Sequence, residues 1–591
     1  MGGEDAIVRW RAENPPLAAN DYTHISYAGG HKLAELMYQD LFSPDTSREV
    51  VVDPLQIESE GIVSDTLTTP SSTLRSGHPS FQKEGKVMRI VKTATSFNPE
   101  KPLIFTTAAF WIFLLALLLI YSIIAGKPLI RNTYLFLFSL LFYYKSGGAF
   151  FILLIISTLT DYAVGLLLSN SGKKGIRKLL VFASLLVNLG MLAYYKYTFF
   201  ITRAINDIAE TSIPEQNWLA ILANRITGSS FDVSSIILPI GISFFTFQTI
   251  SYTLDVYRGK TKAVKNILDF GFYVSFFPQL VAGPIVRASE FIPQLYQKFA
   301  LTKREWSHAL FLIVSGLIKK IIVSDFIATS LVDKVFASPG IFSGLENLLA
   351  VYGYGLQIYC DFSGYTDIAI GVALMLGFRL PVNFNSPYKA VNISDFWRRW
   401  HISLSRWLKD YLYISLGGNR KGRIRTGINL LITMLLGGLW HGAAWRFIIW
   451  GGLHGAGLML HKFWSRVSPF RKKSGKLGRF IGIFITFNFV SFCWIFFRAE
   501  NMDSVSIMLE RITSGFKGID VLAFIRMYYG VLVVMLGGYV LHFMPARIKE
   551  SYRGLFILTP LVLKLVIVYI IALALYNFQT TDIQPFIYFR F

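Results

Sequence analysis

From Leu103 onward the chain is a succession of apolar runs of roughly bilayer-spanning length, separated by short loops rich in Lys and Arg. The first run, about 103–125, reads LIFTTAAFWIFLLALLLIYSIIA. Charged residues make up 16% of the chain, against ~25% in ordinary soluble domains, and mean hydropathy is +0.47. The pattern defines an all-α polytopic membrane protein with about a dozen membrane elements.

Further spans are expected near 131–144, 148–169, 178–201, 307–330, 345–377, 426–443, 445–462, 479–497, 526–544 and 559–577. Two runs carry helix breakers. In SIILPIGISFFTFQTISYTLDVY (235–257), Pro239 and Gly241 predict a kinked or partly unwound helix. In the run near 267–286 and just beyond it, Pro278, Gly283 and Pro284 predict a broken or re-entrant element. Such breaks survive in a membrane only where protein or a polar cavity satisfies the freed backbone groups. Asp361 and Asp367 fall inside QIYCDFSGYTDIAIGVALMLG, where polar side chains either join helices or serve chemistry. Lys196, in AYYKYTFF, is expected to snorkel to an interface. The stretch from Asp395 onward predicts an amphipathic interfacial helix carrying His401, with Phe396, Trp400, Leu404 and Trp407 on one stripe and Asn392, Ser394 or Asp395 as its cap. The closing IQPFIYFRF has the composition of an interfacial segment.

The formal net charge is +22. Its clusters lie in loops: Lys173 to Lys178, Arg258 to Lys265, Arg466 to Arg479 and Arg547 to Arg553. Positive-inside bias and attraction to anionic membrane lipids account for them, and no nucleic acid is implied. Cys360 and Cys493 sit in apolar runs, outside any metal-binding spacing, and read as buried thiols. No metal motif is present in the sequence.

The remaining chemistry is concentrated between Asp395 and His454. An apolar helix there ends in Leu-Trp-His-Gly, which puts His441 within or at the edge of hydrocarbon. By residue type alone such a histidine is either a hydrogen-bonded structural group or a reactive one. Gly437, Gly438 and Gly442 either admit a slender acyl chain or pack helices. His454 and His461 read as packing or interfacial residues, and His308 and His542 carry no assigned role.

Residues 1–102 are polar. NDYTHISYAGGHKLAELMYQDLF resembles the C-terminal end of SGNH/GDSL hydrolases, with Asp21 and His24 at the family's D-x-x-H pair. The serine of that family lies on a Gly-Asp-Ser turn near the start of its domain, and the twenty residues before Asp21 supply none. Residues 1–42 therefore read as a fragment, and 43–102 as a polar linker.

Residues 103–591 resemble the membrane-bound O-acyltransferase (MBOAT) family, in the branch of the alginate O-acetyltransferase membrane subunit and the teichoic-acid D-alanyl transfer protein. The resemblance rests on LPIGISFFTFQTISYTLDVYRG, LVAGPIVRASEFIPQL, YCDFSGYTDIAIG, FNSPY, DFWRRWHISLSRWLKDYLYISLGGNRKG and GGLWHGAAWRFIIWGGLHG, in the family's order. It implies a ring of tilted, partly broken helices around a central tunnel. It implies an essential histidine at Trp440-His441-Gly442 and a second polar position at His401. It also implies a cytosolic acyl donor (acetyl-CoA), an extracytoplasmic polysaccharide acceptor, an SGNH-type partner and a bacterial inner-membrane location. His441 would act as general base toward the acceptor hydroxyl, and His401 would orient the donor, stabilise charge or line the tunnel. The competing expectation is an acyl-group conduit, transporter or membrane scaffold that delivers acyl groups to a separate SGNH-type transferase.

Overall fold

The computed structural model describes Phe97 and residues 102–281, 283–467, 475–516, 520–578 and 586–587. Asp21, His24, nearly all of the 43–102 linker and Arg471 to Lys473 lie outside the described residues. Among the described residues every regular element is helical, as expected of an all-α polytopic protein. Four helical runs among the described residues are long and apolar enough to cross a bilayer: Pro128–Asn170, Lys174–Ala209, Lys476–Arg498 and Val521–Phe543. The pair Ala546–Leu558 and Leu561–Asn577, bent by 117°, adds a broken one. Their outward faces carry exposed Ile152, Leu186, Phe484 and Leu558, as lipid contact requires.

The inner helices are shorter or more polar because they face protein. Ile242–Tyr257 buries Thr249 and Ser251 as completely as Phe245 and Tyr252. Lys303–Leu317, prolonged by π-helical turns through Val332, packs along Gly344–Met375. Glycines bring the two backbones together: a Cβ on Gly364 would lie 2.7 Å from the Gly316 carbonyl, and one on Gly371 would lie 2.7 Å from that of Ala309. Lys320 bonds Asp361 at 2.6 Å and Lys319 bonds Asp367 at 2.5 Å across this contact, so both aspartates join helices.

The two broken runs are confirmed, and they meet. The first run is non-helical through Ile240, and its helix starts at Ile242 after Gly241, which takes φ +73°. A side chain at Gly241 would press on the Leu280 carbonyl, 2.8 Å from its Cβ. The second run is helical over Ile267–Ser275 and Phe277–Leu280 and resumes at Ala288–Leu295. The freed backbone groups find side-chain partners. Tyr143 donates to the Ile240 carbonyl at 2.6 Å, Tyr273 to Val286 at 3.0 Å, and Gln248 and Gln279 both to Tyr273.

Three expectations are corrected. The stretch after Asp395 is not one interfacial helix. It is divided into Ile393–Arg399, Ile402–Trp407 and the π-turn Leu408–Tyr413, and its Phe396, Trp400 and Leu404 are buried in the core. Of the three candidate caps, Asn392 holds the first helix through the Asp395 amide. Of the closing segment only Phe586 and Ile587 are among the described residues, and these two are core rather than interfacial. Phe586 and Ile587 are buried, and the Ile587 amide donates to Asp361 at 2.9 Å because that carboxylate needs a second donor. Lys196 does not snorkel; it binds a helix end, as described below.

Three basic clusters converge at one end of the bundle. Arg177 donates to the Tyr257 carbonyl at 2.7 Å, and Arg258 donates to the Asp410 carbonyl and to Ser415, just before a third basic stretch, Arg420 to Arg425, that enters helix Gly422–His441. His441 lies at the far end of its helix from that stretch, ~28 Å away at 1.5 Å per residue.

Candidate active site

Gly422–His441 and Trp445–Val467 form a tight helical hairpin with His441 at its tip. Gly438 and Gly442 have no room for a side chain: a Cβ on either would fall against Phe447. These glycines therefore serve helix packing, and only Gly437 has ordinary clearance, 3.4 Å from Leu408. The turn leaves the carbonyls of the last helical residues without intrahelical partners, as at any helix C-terminus. Helix Lys174–Ala209 supplies them. Lys196 Nζ donates to the carbonyls of Trp440 (2.8 Å) and His441 (2.9 Å), and Tyr197 donates to that of Leu439 (2.9 Å). A cation at a helix C-terminus also meets the negative end of the macrodipole.

The His441 imidazole is buried and ringed by Trp440, Trp450 and Phe497, with centroids at 4.9, 5.1 and 5.2 Å. Residue His441 lines a cavity of about 60 Å³ with Lys196, Pro239, Ser243 and Val281. The two broken runs thus provide one wall of this space and the hairpin tip provides another. A second cavity of about 190 Å³, lined by Tyr194, Tyr195 and Phe199, shares Lys196 and Leu238 with the first. Trp440 is held in turn by Phe247, whose ring stacks on it at 5.1 Å and on Trp407 at 3.8 Å. The Trp407 indole donates to the Phe247 carbonyl at 2.8 Å.

His401 is fully buried and is reached from the same tryptophan, 6.3 Å between ring centroids. It sits at the break between two short helices with φ +41°, a left-handed conformation uncommon for a non-glycine residue. Asn383 stabilises that break. Its Oδ1 accepts from the Ser403 amide (3.1 Å) and hydroxyl (2.9 Å) and lies 3.2 Å from His401 Nδ1. Because a backbone amide can only donate, the Ser403 bond identifies this atom as the amide oxygen. Nδ1 of His401 then carries the hydrogen, and Nε2 is the basic nitrogen. Ser403 also accepts from the Ile285 amide at 3.0 Å, which ties the second broken run to the His401 loop.

The sequence-predicted pair His441 and His401 is therefore brought together around Trp440. His454 packs on Trp450, which also contacts His441, with the Trp397 indole donating to its Nδ1 at 3.3 Å. His542, given no role from sequence, is a buried anchor that accepts from the Tyr388 amide at 3.2 Å. Sequence reasoning missed Asn383, Ser403, Ser243 and the cavity position of Lys196. A lysine in the middle of an apolar helix was the signal for the last; the others carry no local signature.

Fold and site together define a multi-pass membrane protein with a buried, aromatic-walled pair of imidazoles, one of them at the tip of a helical hairpin. A sequence model of the membrane-bound O-acyltransferase family matches residues 261–499, which include both histidines. The chain is 38% identical over 413 residues to the peptidoglycan O-acetyltransferase of Helicobacter pylori, covering 65% of this chain and 74% of that protein. It is 40% identical over 375 residues to a probable alginate O-acetylase of Azotobacter vinelandii, covering 63% and 70%. A teichoic acid D-alanyltransferase of Bacillus subtilis is 32% identical over 276 residues, covering 44% and 69%. The chain belongs to the membrane-bound O-acyltransferase family and is an O-acyltransferase.

Proposed function

We propose that this protein transfers acetyl groups from a cytosolic thioester donor, acetyl-CoA, toward hydroxyls of an extracytoplasmic polysaccharide or other envelope polymer, with His441 as general base. The observation that carries this reading is the buried histidine at the hairpin tip, beside a cavity at the end of the bundle away from the basic loops. By the positive-inside rule the basic end is cytosolic, in a bacterial inner membrane. The thioester end of the donor then has to reach across much of the bilayer to meet His441.

In the transfer step the acceptor O–H gives its proton to His441, and its oxygen bonds the acyl carbon. The C–S bond of the thioester breaks, and the leaving thiolate recovers the proton from the imidazolium. His401, with Nδ1 directed at Asn383, presents Nε2 as a secondary polar group that orients the donor or stabilises charge. An SGNH-type protein is the partner that completes polymer modification, in keeping with the Asp21/His24 segment.

The test is acetyl transfer by the purified protein in lipid vesicles, with radiolabelled acetyl-CoA and alginate, peptidoglycan or teichoic acid fragments, in the presence and absence of an SGNH-type partner. Labelled polymer that depends on His441 supports the reading. Transfer of D-alanine instead of acetyl, or acetyl transfer indifferent to His441, removes it.

A further inference from the structure

We propose that Lys196 is a catalytic residue of this site: its ammonium donates to the acyl carbonyl oxygen as that oxygen gains negative charge. The proposal rests on the reading of His441 as the base, and it gives that base an electrophilic partner.

Lys196 lies in AYYKYTFF, well inside an apolar 36-residue helix, where a charge is costly to keep. Its Nζ is used in a specific way. An ammonium has three N–H donors. Two go to the carbonyls of Trp440 and His441 at 2.8 and 2.9 Å. Those two acceptors sit at the end of one helix, so the nitrogen is held on the His441 side of its own helix. The same residue lines both the 60 Å³ cavity it shares with His441 and the 190 Å³ cavity that shares Lys196 and Leu238 with it. The remaining donor is thus available to the space where an acyl group meets the base. Macrodipole contact offsets part of the charge and leaves a positive centre at the cavity wall.

The coupling to His441 is direct. Lys196 binds the peptide carbonyl of the residue whose ring would take the proton, so the positions of base and cation are fixed by one hydrogen bond. Tyr197, one residue on, secures the preceding turn through Leu439 and does not line the cavity. A donor held in place before reaction requires no reorganisation as charge develops, which is the condition for effective oxyanion stabilisation. When the acceptor oxygen attacks, the carbonyl π pair moves onto oxygen, where Lys196 receives it. When the C–S bond breaks, the carbonyl reforms and the lysine is left unchanged.

The experiment compares Lys196→Met, Lys196→Arg, Tyr197→Phe and His441→Ala in full-length protein in lipid vesicles, using acetyl-CoA and a polysaccharide acceptor. Lys196→Met is expected to lower kcat by about 10²-fold, the usual effect of losing one oxyanion donor, with KM for the thioester changed less than about threefold. Lys196→Arg should recover part of the loss, because it keeps charge and donors. Tyr197→Phe should lower the thermal midpoint while changing kcat less than about threefold, since it removes a helix-end bond only. Should Lys196→Met not be recovered from membranes, Lys196→Gln replaces it with the same expectation.

Lys196→Met with wild-type kcat overturns the proposal. So does a parallel loss in Lys196→Met and Tyr197→Phe, which would reduce Lys196 to a helix cap. Activity retained in His441→Ala would instead remove the base assignment, and the two failures are read from different variants.

Discussion

Lys320→Met should be the most damaging single change in the membrane core outside the site. Its ammonium lies 2.6 Å from Asp361 and 2.7 Å from Asp325, with side-chain exposures of 5%, 2% and 15%. One cation therefore serves two carboxylates, and Asp361 takes a further donor from the Ile587 amide. Methionine keeps the volume but deprives both carboxylates of the ammonium they share. Breaking a buried pair in this way costs ~3–5 kcal/mol. Asp361→Asn is the informative contrast. It leaves Lys320 with Asp325 as a neutral pair and keeps an oxygen for Ile587, so the cost should fall to ~1–3 kcal/mol. The double variant should cost less than the sum, with a coupling of ~0.5–3 kcal/mol. The assay is equilibrium unfolding in mixed micelles, followed by fluorescence of the 12 tryptophans. Equal losses in the two single variants, or strict additivity in the double, would refute the closed triad.

Gly438→Ala should destabilise by ~1–3 kcal/mol, because its Cβ falls on the Phe447 carbonyl, whereas Gly537→Ala, with nothing within 4 Å, should be near neutral; thermal unfolding in detergent separates them. Asn383→Leu should lower acetyl transfer by about tenfold or more while the protein stays folded, because His401 Nδ1 and Ser403 lose their common acceptor; unchanged kcat would detach His401 from the chemistry. His542→Ala should cost ~1–3 kcal/mol in unfolding experiments and leave kcat near wild type, since it removes the acceptor of the Tyr388 amide and lines neither cavity.

What was legible in the sequence follows from which physical signals are local. Apolar length marked the helices, and Pro239, Gly241 and Pro284 marked the breaks, because both effects act on the residue that carries them. The site histidines stood out as polar groups in apolar surroundings. Pairings were not legible. Nothing around Asp361 shows that Lys320 faces it, and nothing around Asn383 shows that it holds His401. The aromatic stripe from Phe396 to Trp407 fitted an interfacial helix. Tertiary packing instead buried it and opened the chain at His401, where hydrogen bonds from Ser403 and the Ile402 amide to Asn383 hold the left-handed turn. Burial of Phe586 and Ile587 was not legible for a similar reason: the Ile587 partner, Asp361, is more than two hundred residues away in sequence.

The central claim is that His441 performs acetyl transfer to a surface polymer. The most direct measurement is incorporation of labelled acetyl into the polymer fraction of cells carrying wild type or His441→Ala at matched membrane protein level. Incorporation in the variant should fall to background, with the protein folded and membrane-inserted. Incorporation equal to wild type would contradict it and place the chemistry elsewhere.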